Sequence, residues 1–221
     1  MNVACSSSTF GIQNAVSDIR AGLAKSVLVV SPEICSGHLN FKDRDGHFIF
    51  GGVCTALLLE QDVGSHKEGY KIIDTKLKTV FSNNIRNNFG FLNQAENSDL
   101  NSPDKLFIQK GKKVFKQLIP IVASLIEDHL QKNNIPIDTV SRLWLHQANL
   151  SMNQLIAKKL LGRAPGAEEM PIVLDEYANT SSAGSIIAFH KYKEDLKKGD
   201  IGVICSFGAG YSVGSVIVQK I

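Results

Sequence analysis

A chain of 221 residues, 43% hydrophobic and 20% charged, has the balance of a globular protein large enough for one or two buried cores. Its formal net charge of +3 is too small to argue for nucleic acid, and no apolar run approaches the length of a membrane span. Cys5, Cys35, Cys54 and Cys205 show no CxxC or Cys/His spacing, so no metal site is predicted, and scattered free thiols suit a reducing cytoplasm.

Ile12, Val16, Ile19 and Leu23 recur at helical spacing and predict a helix directly behind Cys5. Val27-Leu28-Val29-Val30 is an apolar run of strand length, and residues 35–48 form a loop. Phe48-Ile49-Phe50-Gly51 and 55–59 predict a strand with a glycine break, and 61–69 a link. A strand over 70–80 and an Asn-rich surface excursion over 82–104 follow. Residues 105–132 carry the longest helical pattern, lined by Val114, Leu118, Val122 and Leu125, with Pro120 placed to kink or divide it. A strand over 142–147, a helix through Met152, Leu155, Ile156 and Leu160, a helix over 182–196, and strands over 201–206 and 213–218 complete the pattern. Apolar strands alternating with amphipathic helices predict a sheet covered on both faces. An internal echo lays Cys5-Ser6-Ser7 on Thr180-Ser181-Ser182 and residues 27–31 on 202–206.

Cys5 stands in Ala4-Cys5-Ser6-Ser7-Ser8, at or just before a helix N-terminus. Unpaired N–H groups and the macrodipole there favour a thiolate, a nucleophile at neutral pH. A buried structural cysteine is the plainer alternative. His146, in Trp144-Leu145-His146-Gln147-Ala148-Asn149, follows an apolar run and is predicted at a strand end, where sites in α/β sheets gather. Asn179 opens Asn179-Thr180-Ser181-Ser182-Ala183-Gly184. It precedes a helix, as Asn149 does, so capping is the plainer role for both. Gly208-Ala209-Gly210 lies between two apolar runs, as a hairpin turn would.

In this order the four segments resemble the β-ketoacyl-acyl carrier protein synthase III family of the thiolase-like superfamily, from residue 1 to residue 221. The resemblance implies an α/β, thiolase-like fold of two similar βα halves, layered α-β-α-β-α. The N-terminal half is expected to be incomplete, because family members carry a region ahead of the cysteine motif. Residues 1–66 would be the remainder of that half and 67–221 the C-terminal half.

The implied activity is decarboxylating condensation of an acyl thioester with malonyl-acyl carrier protein in fatty acid biosynthesis, by a cytoplasmic homodimer. Acyl-CoA and malonyl-acyl carrier protein are substrates, and neither cofactor nor metal is implied. Cys5 matches the acyl acceptor. His146 and Asn179 match the pair that binds the malonyl thioester carbonyl and stabilises the enolate. The backbone N–H groups of Cys5 and Ala209 match the donors to the second oxyanion. Arg44, Gly111 and Asn149 match positions near the coenzyme A or pantetheine channel, and Phe207 a phenylalanine beside the cysteine. Lys116, Lys158 and Lys159 match the surface that docks the acidic carrier protein, although each also fits an ordinary solvated helix face.

Three residues depart from the family pattern: Lys112 where Asn is frequent, Ser151 where Arg is usual, and Gly52 where Asp is common. Two other functions fit the same residues. One is a non-catalytic remnant or partner-dependent fragment, and the other an acyltransferase that works through Cys5 without decarboxylation.

Overall fold

A computed structural model describes residues 1–44, 46–64, 68–87 and 105–221. The serine-rich segment makes one 3-10 turn, Ala4–Ser6, and continues as α1, Ser7–Arg20, whose buried stripe is Ile12, Ala15 and Val16. β1 (Ser26–Ile34) and β2 (Gly52–Glu60) pair antiparallel, from Ser26 opposite Glu60 to Ile34 opposite Gly52. β3 (Tyr70–Ser82) is followed by two short paired strands, β4 (Ile85–Arg86) and β5 (Ile108–Gln109). Then come α2 (Gly111–Lys132), β6 (Val140–Leu145), α3 (Leu150–Leu161), α4 (Leu174–Tyr177), a 3-10 turn over Ser181–Ala183, α5 (Gly184–Lys191), β7 (Ile201–Gly208) and β8 (Gly210–Lys220).

The main sheet has the order β3-β8-β7-β6, parallel between β6 and β7 and antiparallel elsewhere. Both of its faces are buried, so its central strands are apolar on both sides. Val203, Cys205, Phe207, Val213 and Ile217 face the core shared with α2 and α3. Ile204, Val216 and Val218 face the core shared with α1 and α5. Beyond α1 lies the β1–β2 ribbon. The described residues therefore stack in the order α-β-α-β, and the ribbon's outer side exposes Leu28, Val30, Ile34 and Leu58.

The internal echo is structural. Each 3-10 turn opens on a residue with positive φ, Ala4 at +47° and Ser181 at +50°, and leads through a helix to an antiparallel strand pair. The turns align Cys5 with Ser182 rather than with Thr180, because the path from turn to strand is two residues shorter in the second copy.

Several expected boundaries move. The long helix starts at Gly111, and Pro120 does not divide it. Pro120 and Lys116 are both exposed, so water can reach the carbonyl that the missing N–H would have engaged. Phe48-Ile49-Phe50-Gly51 is not strand: Phe50 makes a single bridge to Asn179, and β2 begins at Gly52. The helix expected to reach residue 196 ends at Lys191. Most of the 82–104 excursion and the centre of the 61–69 link lie outside the described residues.

A buried polar cluster ties α2 to the sheet. His129 Nδ1 lies 2.9 Å from Ser215 Oγ on β8, and its Nε2 lies 3.3 Å from Asp74 Oδ2 on β3. Lys132 and Asn133 donate to the same carboxylate oxygen at 2.8 and 3.0 Å. Burial pulls the His129 imidazole down to about 4, against the opposing pull of Asp74. In the unfolded chain it takes up a proton near its ordinary value, about 6.5. Between those values the unfolded state binds more protons, so stability is full above the window and falls as pH drops through it. The expected loss is on the order of 3 kcal/mol by pH 4. Urea midpoints at pH 7, 5.5 and 4 should show this slope, and His129→Gln should lower it by that amount, leaving the equal contribution of His146, whose buried imidazole is also pulled down to about 4. An equal slope in the variant would remove His129 as the cause.

Candidate active site

The turn carrying Cys5 rests on the β7–β8 hairpin. A Cβ at Gly208 would stand 2.5 Å from Cys5 Cβ and 2.9 Å from Cys5 Sγ, so only glycine permits this approach. Side chains pin the turn in place. Ser6 Oγ donates to the Ser212 carbonyl at 2.7 Å, and the Thr9 and Ser206 hydroxyls share a buried hydrogen bond.

The backbone N–H of His146 donates to the Cys205 carbonyl at 2.8 Å, extending the β6–β7 pairing by one residue. The His146 carbonyl accepts from Asn153 Nδ2 at 2.9 Å, and its ring stands edge-on to Phe207 with centroids 5.3 Å apart. The side chain is 2% exposed. Burial pulls its imidazole down to about 4, partly countered by the backbone of Ser181, so it is neutral at pH 7 and carries one N–H donor. Nδ1 is buried without a hydrogen-bond partner among the described residues.

Asn179 is clamped by the segment ahead of β2. Its N–H donates to the Ile49 carbonyl at 2.9 Å, and its carbonyl accepts from the Gly51 N–H at 3.0 Å. The side-chain Oδ1 accepts from the Ser181 N–H at 2.9 Å, which leaves the Nδ2 amino group as a donor. Asn149 fills its plainer role as well. It is the N-cap of α3, with Oδ1 accepting from the Met152 N–H at 3.0 Å.

Cys5, His146, Asn179, Phe207, Gly111 and Asn149 line one cavity of about 570 Å³. Ile49, Phe50, Phe107, Phe115, Leu118 and Met152 supply most of its apolar wall. Three segments far apart in sequence therefore bring a thiol, a neutral imidazole and a carboxamide to one space. Arg44 does not join them: Leu39 is the residue of its segment that packs inward, and Arg44 stays in solvent. Lys116 on α2 and Lys158 and Lys159 in the last turn of α3 are exposed. Among the described residues no group of three or more His, Cys, Asp or Glu gathers for a metal, and no helix is long and apolar enough to cross a membrane.

The thiol is not the preformed thiolate that its place at a helix start suggests. Burial pushes Cys5 up, and the nearby Glu33 carboxylate pushes it further. The Ser181 hydroxyl and the backbone N–H groups of Ala209 and Cys5 pull the other way without reversing the shift. Cys35 is pushed up to about 12 by burial, then by Glu33 and Cys5. Sequence reasoning assigned no part to Glu33 or Ser181. The available signal was a lone carboxylate at the end of the apolar run 27–34.

Two family models match the chain. 3-Oxoacyl-[acyl-carrier-protein] synthase III covers residues 1–80, and its C-terminal counterpart covers 130–220. The chain belongs to the 3-oxoacyl-[acyl-carrier-protein] synthase III family. It is 60% identical over 221 residues to the beta-ketodecanoyl-[acyl-carrier-protein] synthase of Pseudomonas aeruginosa, covering 100% of this chain and 63% of that protein. It is 32% identical to the beta-ketoacyl-[acyl-carrier-protein] synthase III of Clostridium tetani, covering 100% of this chain and 67% of that one. The solved 3-oxoacyl-[acyl-carrier-protein] synthase III of Aquifex aeolicus superposes with a TM-score of 0.84 at 25% identity, over 99% of this chain and 66% of that chain. The expected thiolase-like α/β fold is thus the one this synthase III family member adopts. Of its departures from the family pattern, Lys112 lines the cavity, Ser151 is exposed on α3, and Gly52 begins β2 with nothing nearer to an added Cβ than the Glu33 carbonyl at 3.6 Å.

Proposed function

We propose that the chain performs a synthase III-type decarboxylating condensation. The observation that carries this reading is the shared cavity of Cys5, His146 and Asn179. Cys5 Sγ takes the acyl group from an acyl-CoA, and coenzyme A leaves as its thiol with the Cys5 proton. Malonyl-acyl carrier protein then loses carbon dioxide. The resulting enolate oxygen accepts hydrogen bonds from His146 and from Asn179 Nδ2. Its carbon attacks the acyl carbon on Cys5, and the N–H groups of Cys5 and Ala209 hold the tetrahedral oxyanion. Collapse frees the cysteine and a β-ketoacyl-acyl carrier protein two carbons longer than the primer.

The name of the 60% identical relative specifies a ten-carbon product, which corresponds to an eight-carbon primer. We assign this chain the same medium-chain class, in keeping with its apolar cavity wall. The carrier protein docks on Lys116, Lys158 and Lys159, and the assembly is a homodimer, as the family resemblance implies. Gly111, Asn149 and Phe207 line the pantetheine channel. Four free cysteines support a reducing, cytoplasmic location.

Incubation with octanoyl-CoA should add one octanoyl group, on Cys5, and Cys5→Ser should abolish the adduct in the peptide mass spectrum. An adduct on Cys35, Cys54 or Cys205 with Cys5 free would overturn the assignment, and no adduct at all would favour a non-catalytic fragment. Carbon dioxide release from a malonyl thioester separates condensation from acyl transfer without decarboxylation.

A further inference from the structure

Glu33, at the end of β1, reaches across to the second 3-10 turn. Its Oε1 accepts from the Ser182 N–H at 3.2 Å and from the Ser182 hydroxyl, and its Oε2 accepts from Cys35 Sγ at 3.6 Å. Ser182 is also held from α1, since Ser8 Oγ donates to its carbonyl at 2.7 Å and to its hydroxyl at 2.9 Å. The residue before it, Ser181, holds the Asn179 carboxamide through its N–H and directs its hydroxyl to the Cys5 sulfur. One carboxylate therefore fastens the turn on which both the Asn179 amide and the hydroxyl beside the nucleophile depend.

We propose that Glu33 is a positioning residue for this site: its carboxylate clamps the Ser181–Ala183 turn against Cys5 and keeps a negative charge beside the sulfur. The proposal rests on Cys5 being the nucleophile. The two effects oppose each other. The clamp orients the donors, while the charge disfavours the thiolate. An uncharged side chain with the same acceptor would keep the first and lose the second. The resting cysteine is then a thiol protected from adventitious alkylation and oxidation, because the thiolate is the reactive form. The other titratable groups around the sulfur are Cys35 after β1, His146 after β6 and Lys112 at the head of α2. Cys35 is an acid weaker still than an ordinary thiol, and His146 is neutral above pH 6, so neither titrates across the range in which the effect is sought.

The test is the pH profile of Cys5 alkylation by iodoacetamide, read by peptide mass spectrometry on the full chain, for wild type, Glu33→Gln and Glu33→Ala. Glu33→Gln retains an acceptor for Ser182. Its profile should move to lower pH, and its rate at pH 7 should rise about tenfold for each unit of movement. Glu33→Ala should show the same movement and also lose carbon dioxide release from a malonyl thioester, which Glu33→Gln should largely keep. A Glu33→Gln profile superimposable on wild type would overturn the charge role, and a Glu33→Ala variant with wild-type decarboxylation would overturn the clamp. Octanoyl labelling of Cys5 in the wild-type chain is read separately. The proposal can therefore fail while Cys5 remains the acyl acceptor, and a failure of that labelling is recognised as a failure of the functional reading itself.

Discussion

His146→Ala and Asn179→Ala are each expected to lower carbon dioxide release from a malonyl thioester by roughly 10²–10³-fold, the cost of removing one preorganised donor to a developing oxyanion. Octanoyl transfer to Cys5 should suffer much less, because the backbone N–H groups of Cys5 and Ala209 also point to the sulfur, and neither substitution touches them. Asn179→Asp sharpens the comparison. It keeps the Oδ1 acceptor for the Ser181 N–H but replaces the Nδ2 donor with an acceptor, so the turn is held while the enolate loses its partner. Stopped assays of carbon dioxide and acyl-enzyme, run side by side, decide the matter. Equal loss of both steps would show that the residues serve the cavity as a whole.

Gly208→Ala should be as damaging to the other step. The new methyl would meet Cys5 Cβ at 2.5 Å and Sγ at 2.9 Å, and the first of these atoms cannot rotate away. The turn or the hairpin must shift, and a displacement of about 1 Å at a reacting centre costs around 10²-fold in rate. Acylation of Cys5 is therefore expected to fall about that far, with a stability loss of roughly 1–3 kcal/mol from overpacking. Gly52→Ala is the control: its Cβ would find only ordinary contact, and acylation should be unchanged. A Gly208→Ala protein that acylates at the wild-type rate would mean that the hairpin yields more readily than this packing implies.

Those two substitutions bracket what the chain discloses before it folds. α1 and α3 are legible because their apolar residues repeat at helical spacing, and β7 because a strand buried on both faces is apolar throughout. Phe48 to Gly51 misleads for a related reason. Its apolar residues include Ile49 and Phe50, which line a cavity, and the ring of Phe50 meets that of Phe107 edge-on at 4.8 Å instead of filling a strand face. Motif spacing singled out Cys5, His146 and Asn179, which meet in one cavity, yet the protonation of the cysteine went the other way. A helix start is visible in local sequence, whereas burial and the Glu33 carboxylate come from segments a pattern cannot bring together. Arg44 is exposed and off the cavity wall, since a match fixes its position along the chain but not the direction of a loop side chain.

The paired 3-10 turns carry a consequence for how the cavity is assembled. Cys5 and Ser182 are counterparts in two copies of one building block: the first presents a sulfur to the cavity, and the second has its hydroxyl tied to Glu33. Matching turns thus carry different chemistry, a thiol open to the cavity in one and a hydroxyl bonded to a carboxylate in the other. The two copies bring different groups to the cavity, a thiol from the first and an imidazole and a carboxamide from the second. A small slip of one copy against the other would part the thiol from the imidazole and carboxamide while each copy kept its own fold.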